Sequence, residues 1–179
     1  MTRQDFVKKY NNLVQQITKG SGIFPETVFS AAILESQKNG QIPGTLLATK
    51  YNNLFGIKDS SGWDGETVNL KTGEVFNGQS ETVSANFRVY NSPEDSFKDY
   101  IKFLQDNDRY KANGVFNAKT VIDQAAALQK SGYATNPNYG ALISSIAKNI
   151  DSYITPLNVG IGITILVLMV GTILYFNHE

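Results

Sequence analysis

Glu35 stands among apolar neighbours in Ala31-Ala32-Ile33-Leu34-Glu35-Ser36, and a run of different character follows at Tyr51-Asn52-Asn53-Leu54-Phe55-Gly56-Ile57-Lys58. The first stretch places a lone carboxyl on an apolar helix. The second is polar, aromatic and glycine-containing, suited to line a cleft in front of it. Burying an ionised carboxylate among Ile and Leu side chains is costly, so the pKa of Glu35 is expected to rise. A carboxylic acid still protonated near neutral pH is the group that general-acid cleavage of a glycosidic bond requires. The alternative is an exposed glutamate on a surface helix, and the rest of the chain decides between them.

Composition removes most competing chemistries. The 179 residues suit one domain of roughly 150 residues plus an appendage. Sixteen basic and sixteen acidic residues balance, without a basic stripe, which sets nucleic acid aside as a partner. No cysteine is present, so disulfides and thiolate metal sites are excluded. The single histidine, His178, is the penultimate residue of the sequence, so neither a Ser-His-Asp triad nor a His-based zinc site fits inside the domain. No metal or cofactor is expected, and acid–base work falls to Asp, Glu or Tyr.

The tail differs from everything before it. Leu157 to Phe176 carries no formal charge, and Asn158 and two threonines are its clearly polar members. About 20 apolar residues cross a hydrocarbon core, so this segment is expected to be one transmembrane helix, started by Pro156 and anchored at one interface by Tyr175 and Phe176. Met1 to Lys19 is amphipathic, without the apolar core of a secretory signal. Lys148 is the nearest upstream cation, and positive-inside counting would put the globular part in the cytoplasm. The expected division is therefore residues 1–154 as a folded domain and 155–179 as a lipid-bilayer anchor with a short tail, a single-pass membrane protein whose domain side is open.

The spacing of Phe6, Tyr10, Leu13, Val14 and Ile17 predicts a helix from Arg3 to Lys19, and Pro25 starts a second that carries Glu35. A short helical piece, Leu46–Lys50, leads into the Tyr51–Lys58 loop. Between Gly62 and Tyr90 short strands are expected, with turns at Lys71-Thr72-Gly73 and Asn77-Gly78, forming a small β-lobe or hairpin. Ser92-Pro93-Glu94-Asp95 caps a further helix, and two more fit Val121–Lys130 and Tyr139–Ser152. The expectation is an α+β, mostly α architecture with a cleft between two lobes.

Five segments in order resemble the bacterial N-acetylglucosaminidase domains of glycoside hydrolase family 73, a group that includes the peptidoglycan-cutting domain of flagellar assembly proteins. They are Ala31–Ser36, Leu47-Ala48 with Tyr51–Lys58, Phe87-Arg88-Val89-Tyr90 before Asp99-Tyr100, Arg109-Tyr110, and Gly132–Tyr139. The resemblance covers about Asp5 to Ile150 and implies a lysozyme-like two-lobe fold and peptidoglycan glycan strands as substrate. It implies Glu35 as general acid and a second carboxylate on the hairpin after Trp63-Asp64-Gly65. Glu74 occupies that place, with Glu66 and Glu81 as competitors. Tyr139 matches the cleft tyrosine, with Tyr133 as alternative, and Asn52, Asn53, Phe55 and Trp63 would contact sugar. Core packing for Phe55 and Trp63, and loop capping for Asn52 and Asn53, are the structural alternatives. The chain departs from the family just after the acid, where Glu-Ser-Gly-Trp-Gly is replaced by Glu35-Ser36-Gln37-Lys38-Asn39-Gly40, altering the wall beside it.

The resemblance thus implies hydrolysis of β-1,4 bonds on the reducing side of N-acetylglucosamine, with Glu74 as base or as charge stabiliser, or with the substrate's acetamido group as nucleophile. A binding-only protein and a scaffold in a membrane or lysis assembly are the competing readings. A holin-like or assembly partner would connect a cytoplasmic domain to a substrate outside the membrane.

Overall fold

A helix enclosed on nearly every side organises the chain. In the computed structural model, residues 1–60, 62–76 and 79–156 are described, with backbone alone for 74–76, 79 and 80. Helix α2 (Pro25–Ser36) buries every residue from Thr27 to Ile33. A segment so uniformly buried has no surface face, and its neighbours wrap it. Helices α1 (Arg3–Thr18) and α7 (Tyr139–Ile150) pack on it through their apolar stripes, and α6 (Val121–Lys130) closes against α2 and α7. Each Ile, Val or Phe so enclosed contributes about 1.5–3 kcal/mol relative to exposure.

Local signals set where the helices begin. The Thr2, Ser92 and Thr120 hydroxyls accept the backbone N–H of Asp5, Asp95 and Asp123 at 3.1, 3.2 and 3.1 Å, capping α1, α4 (Pro93–Asp106) and α6. Each such cap is worth about 1 kcal/mol. Phe6, Tyr10, Phe29, Phe55 and Phe97 form an aromatic cluster with centroids 5.0–6.3 Å apart, joining α1 and α2 to α4 and to the loop after α3 (Leu46–Tyr51).

One buried polar side chain ties several segments of this body together. Gln124 is fully buried, and its amide donates to the carbonyls of Gly22 and Val115 at 2.8 Å each while accepting the Phe24 N–H at 2.9 Å. One side chain thereby holds the connection into α2 and the 3-10 turn Val115–Asn117. That turn and α5 (Asp108–Ala112) are too short to register as periodic patterns, and the sequence reading did not anticipate them.

The second lobe is one antiparallel hairpin, β1 (Thr67–Phe76) and β2 (Gln79–Arg88), in register from Thr67 opposite Arg88 to Phe76 opposite Gln79. The expected turn at Lys71-Thr72-Gly73 is absent, because all three residues continue β1 and pair with Ser84, Val83 and Thr82. The other expected turn, at residues 77 and 78, lies outside the described residues. Val68, Leu70, Thr72, Val83, Ala85 and Phe87 are sheltered, while Thr67, Asn69, Lys71, Thr82, Ser84 and Asn86 are exposed, so the sheet has an inner and an outer face. The helical body with a small two-stranded lobe is the expected α+β, mostly α arrangement.

Among the described residues no helix is long and apolar enough to cross a membrane. The span expected at Leu157–Phe176 lies outside the described residues. The chain approaches it from a fixed point: Asn11 of α1 donates to the Thr155 carbonyl and hydroxyl at 2.8 and 3.0 Å and accepts the Thr155 N–H at 3.3 Å. Replacing Gln124 with Leu would strand three buried backbone groups, and we expect a loss on the order of 3 kcal/mol, measurable by urea denaturation.

Candidate active site

Glu35 is the penultimate residue of α2, so the helix carries it to the edge of the core and leaves it half-buried. Burial holds its carboxyl well above the ordinary carboxylate range, at about 7. The Tyr51–Lys58 loop faces it. Gly56 has φ +64°, and a Cβ built there would come 3.8 Å from Glu35 Oε2. A side chain at this position would be strained by the left-handed backbone and would lie in contact with the acid, which gives the glycine of the motif a physical reason.

Three tyrosines gather behind the acid. Tyr139 opens α7 and is 1% exposed, and its hydroxyl has no hydrogen-bond partner. Tyr133 stands beside it, ring centroids 5.3 Å apart, and its hydroxyl donates to the Phe55 carbonyl at 3.1 Å. Tyr100 of α4 is fully buried, and its hydroxyl also lacks a partner. Burial first, and then the proximity of the other tyrosines and Glu35, pushes all three phenols up. They remain neutral donors over the whole ordinary pH range. A carboxyl poised near 7, flanked by uncharged hydroxyls, can give up a proton and have the resulting anion stabilised.

The structure assigns several predicted sugar contacts to the framework instead. Asn53 is 1% exposed and its amide is fully engaged, donating to the Ile57 and Arg88 carbonyls at 2.9 Å each and accepting the Ile57 N–H at 3.1 Å. Asn52 takes the left-handed conformation that ends α3, φ 54°, and donates to the Tyr90 carbonyl at 2.9 Å. Both therefore fasten the cleft loop to the end of β2 and the segment just after it. Phe55, 2% exposed, stacks on Tyr100 at 4.1 Å and lies in the core. Trp63 is half-buried, with the Arg88 guanidinium 4.7 Å from its ring centre and Tyr90 edge-on at 5.6 Å.

The hairpin carboxylates stand apart from this cluster. Glu74 lies on β1 opposite Glu81 of β2, and the register continues the sheltered row of Val68, Leu70 and Thr72 to that position. The Glu74 side chain lies outside the described residues. Glu81 is exposed, and Glu66, before β1, is exposed and uses its carbonyl to accept the Val89 N–H at 2.9 Å.

Sequence reasoning gave no role to the joint under the hairpin. Arg88, the last residue of β2, donates from Nη1 to both Asp99 oxygens at 3.0 and 2.8 Å and from Nη2 to Ser60 Oγ at 2.8 Å. The Tyr90 hydroxyl also donates to Asp99, at 2.7 Å. Arg88 and Asp99 side chains are only 8% and 12% exposed, so the pair is buried and fixes the hairpin to α4. Both residues stood in the motifs that carry the resemblance, and a charge in an otherwise apolar-aromatic run, Phe87-Arg88-Val89-Tyr90, was the available signal.

The raised pKa has a sign that can be tested. The unfolded Glu35 carboxyl ionises near 4.5 and the folded one near 7, so the wild type loses stability as pH rises between those values and not beyond. We expect Glu35→Gln to abolish any acid catalysis yet to stabilise the fold by on the order of 2–3 kcal/mol at pH 8, with no gain at pH 4. Thermal unfolding of both proteins across this range checks it, and wild-type turnover should fall as pH passes about 7.

Comparison with known proteins agrees with this arrangement. A family model described as glucosaminidase, mannosyl-glycoprotein endo-beta-N-acetylglucosaminidase, matches residues 11–152. Peptidoglycan hydrolase FlgJ of Pseudomonas aeruginosa is 34% identical over 149 residues, which cover 83% of this chain and 37% of that protein. Exo-glucosaminidase LytG of Bacillus subtilis is 33% identical over 152 residues, 83% of this chain and 52% of that one. The chain thus spans about half or less of the length of these relatives. A crystal structure of a peptidoglycan hydrolase mutant from Sphingomonas sp. A1 superimposes with a TM-score of 0.69 at 28% identity, covering 84% of this chain and 97% of the other. With its mostly helical, lysozyme-like body, its small two-stranded sheet and its match over most of its length, this chain belongs to the glucosaminidase family.

Proposed function

We propose that this protein is a peptidoglycan hydrolase that cleaves the β-1,4 bond on the reducing side of N-acetylglucosamine. The observation that carries the reading is the Glu35 carboxyl, half-buried at the end of α2 and poised at about 7. Glu35 protonates the glycosidic oxygen as the C–O bond breaks, so the leaving sugar departs as a neutral alcohol. Tyr139 offers a neutral hydroxyl without a protein partner on the acid's side, to the carboxylate that forms or to the acetamido group of the bound sugar, while Tyr133, whose hydroxyl donates to the Phe55 carbonyl, lines the same wall. Glu74 serves as the second carboxylate, activating water or stabilising the oxocarbenium-like transition state, and the acetamido oxygen is the internal nucleophile if Glu74 does not reach.

The chain after Thr155 supports a second part of the reading. Twenty uncharged residues, Leu157–Phe176, match the length of a bilayer span, and we assign them as a membrane anchor of a bacterial or phage-encoded protein. With Lys148 as the nearest upstream cation, the body lies on the cytoplasmic side, and a hole-forming partner gives it access to the wall.

Digestion of purified peptidoglycan by the full chain in detergent, alongside Glu35→Gln, tests the chemistry. We expect fragments with N-acetylglucosamine at the new reducing end, identified by mass spectrometry after reduction and absent with the mutant. Fragments ending in N-acetylmuramic acid would overturn the bond assignment, and binding without cleavage would make the protein a glycan-binding module. For the anchor, we expect the full chain to resist alkaline extraction from membranes and a chain lacking 157–179 to be released. Protease should reach the body only after spheroplasts are opened.

A further inference from the structure

The chain leaves the catalytic helix through a tight turn. Lys38 and Gln41 exchange both backbone hydrogen bonds, at 3.1 and 2.9 Å, around Asn39 and Gly40, whose φ angles are 51° and 76°. Positive φ at both central positions is the type I′ geometry, for which Asn-Gly is the favoured pair. The turn is braced on several sides. A Cβ on Gly44 would come 2.7 Å from the Lys38 and Gln41 carbonyls, so that backbone packs directly against the turn. The Gly44 and Thr45 N–H groups both donate to the Ser36 carbonyl, at 2.8 and 3.0 Å. Arg3 of α1 donates to the Gln37 side chain at 3.2 Å.

This rigid turn displays polar groups outward. Lys38, Asn39, Gly40 and Gln41 are all exposed, and among the described residues no carboxylate pairs with Lys38. Lys38 follows Glu35 by three positions, so their Cα atoms are at most about 11 Å apart. The ordered turn thus carries a cationic residue within that reach of the acid, in the stretch where the chain departs from the family pattern.

The proposed substrate supplies an anion at a matching place. In peptidoglycan each muramic acid carries a peptide on its lactyl group, and that peptide bears free carboxylates. On the reducing side of the cleaved bond the first sugar is a muramic acid, so its peptide starts one ring from the glycosidic oxygen that Glu35 protonates. We infer that the Lys38–Gln41 turn is a subsite for the anionic stem peptide, with Lys38 as its cation and the Asn39 amide as a hydrogen-bonding group, the Gln41 amide oxygen being taken by the Met1 ammonium at 3.1 Å. The inference rests on the peptidoglycan reading above and names which part of that substrate this rim reads. A pre-formed turn matters here because an exposed ion pair is weak, and a backbone already ordered lowers the cost of binding.

The test compares sacculi carrying native stem peptides with the same sacculi whose carboxylates have been converted to neutral amides by carbodiimide and methylamine. The full chain and its Lys38→Gln, Lys38→Glu and Lys38→Arg variants are assayed on both. We expect the preference for native over amidated sacculi, as a ratio of kcat/KM, to fall about two- to fivefold in Lys38→Gln and further in Lys38→Glu, chiefly through KM. Lys38→Arg should keep the preference, and the differences should shrink at 0.5 M salt, where the screening length falls to a few ångströms. An unchanged ratio in Lys38→Glu would overturn the proposal. Co-sedimentation of Glu35→Gln and Glu35→Gln/Lys38→Glu chains with both kinds of sacculi reads the same preference without turnover. If wild type cuts neither substrate while this binding preference follows Lys38, the hydrolase reading fails and the subsite stands. If binding ignores Lys38 as well, the subsite fails.

Discussion

The desolvation of one carboxyl governs the design of this molecule. Glu35 is held near the end of a helix whose middle seven residues are buried, from Thr27 to Ile33, and that enclosure raises its pKa to about 7, so that a substantial share stays protonated at neutral pH. The helix could have ended a turn earlier and left the glutamate in water, with an ordinary pKa and no use as an acid. Instead the core is arranged to bring α1, α6 and α7 around α2, with hydroxyl caps starting α1 and α6 and the Gln129 side chain accepting the Gly140 N–H in the first turn of α7. The strain of holding a carboxyl in an apolar setting is tolerated because the surrounding packing is extensive.

Around that constraint the polar residues divide into two sets. Asn52, Asn53, Gln124 and the Arg88–Asp99 pair have their donors and acceptors directed to the protein itself, and they connect loops, lobes and helices. Tyr100 and Tyr139 are equally buried yet carry hydroxyls without a protein partner. The Thr27, Ser30 and Ser36 hydroxyls of α2 are buried without a partner as well, so the unmatched hydroxyls lie along the helix that carries Glu35 and in the tyrosine cluster behind it, although buried hydroxyls are usually matched.

The large elements were legible in the sequence because they rest on periodicity and punctuation. Pro25, the Ser92 cap with Pro93, and the apolar stripes located α1, α2, α4, α6 and α7 to within a residue or two. The hairpin was legible as a lobe but not in detail, since Lys71-Thr72-Gly73 carries turn residues that the pairing of Thr72 with Val83 overrides. Glu35 was legible because a lone acid in an apolar run is conspicuous. The roles of Asn53 and Phe55 were not, because the same side chains suit a sugar or a core, and only the distances to Arg88, Ile57 and Tyr100 separate the two. The Arg88–Asp99 joint was invisible in role for a similar reason: its partners lie eleven residues apart on different elements, and no local pattern announces a contact between them.

That joint has a mechanical consequence. Position 74 lies seven residues along β1 from the base pair of Thr67 and Arg88, an arm of about 23 Å at the usual rise of an extended strand. A tilt of roughly 5° at the base would displace the far carboxylate by about 2 Å, and misplacements of that order cost about a hundredfold in rate when reacting groups must meet. The tolerance of the distant end is therefore set by hydrogen bonds of 2.8–3.0 Å between Arg88 and Asp99. In this lever, stiffness at the fulcrum counts for more than anything built at the tip.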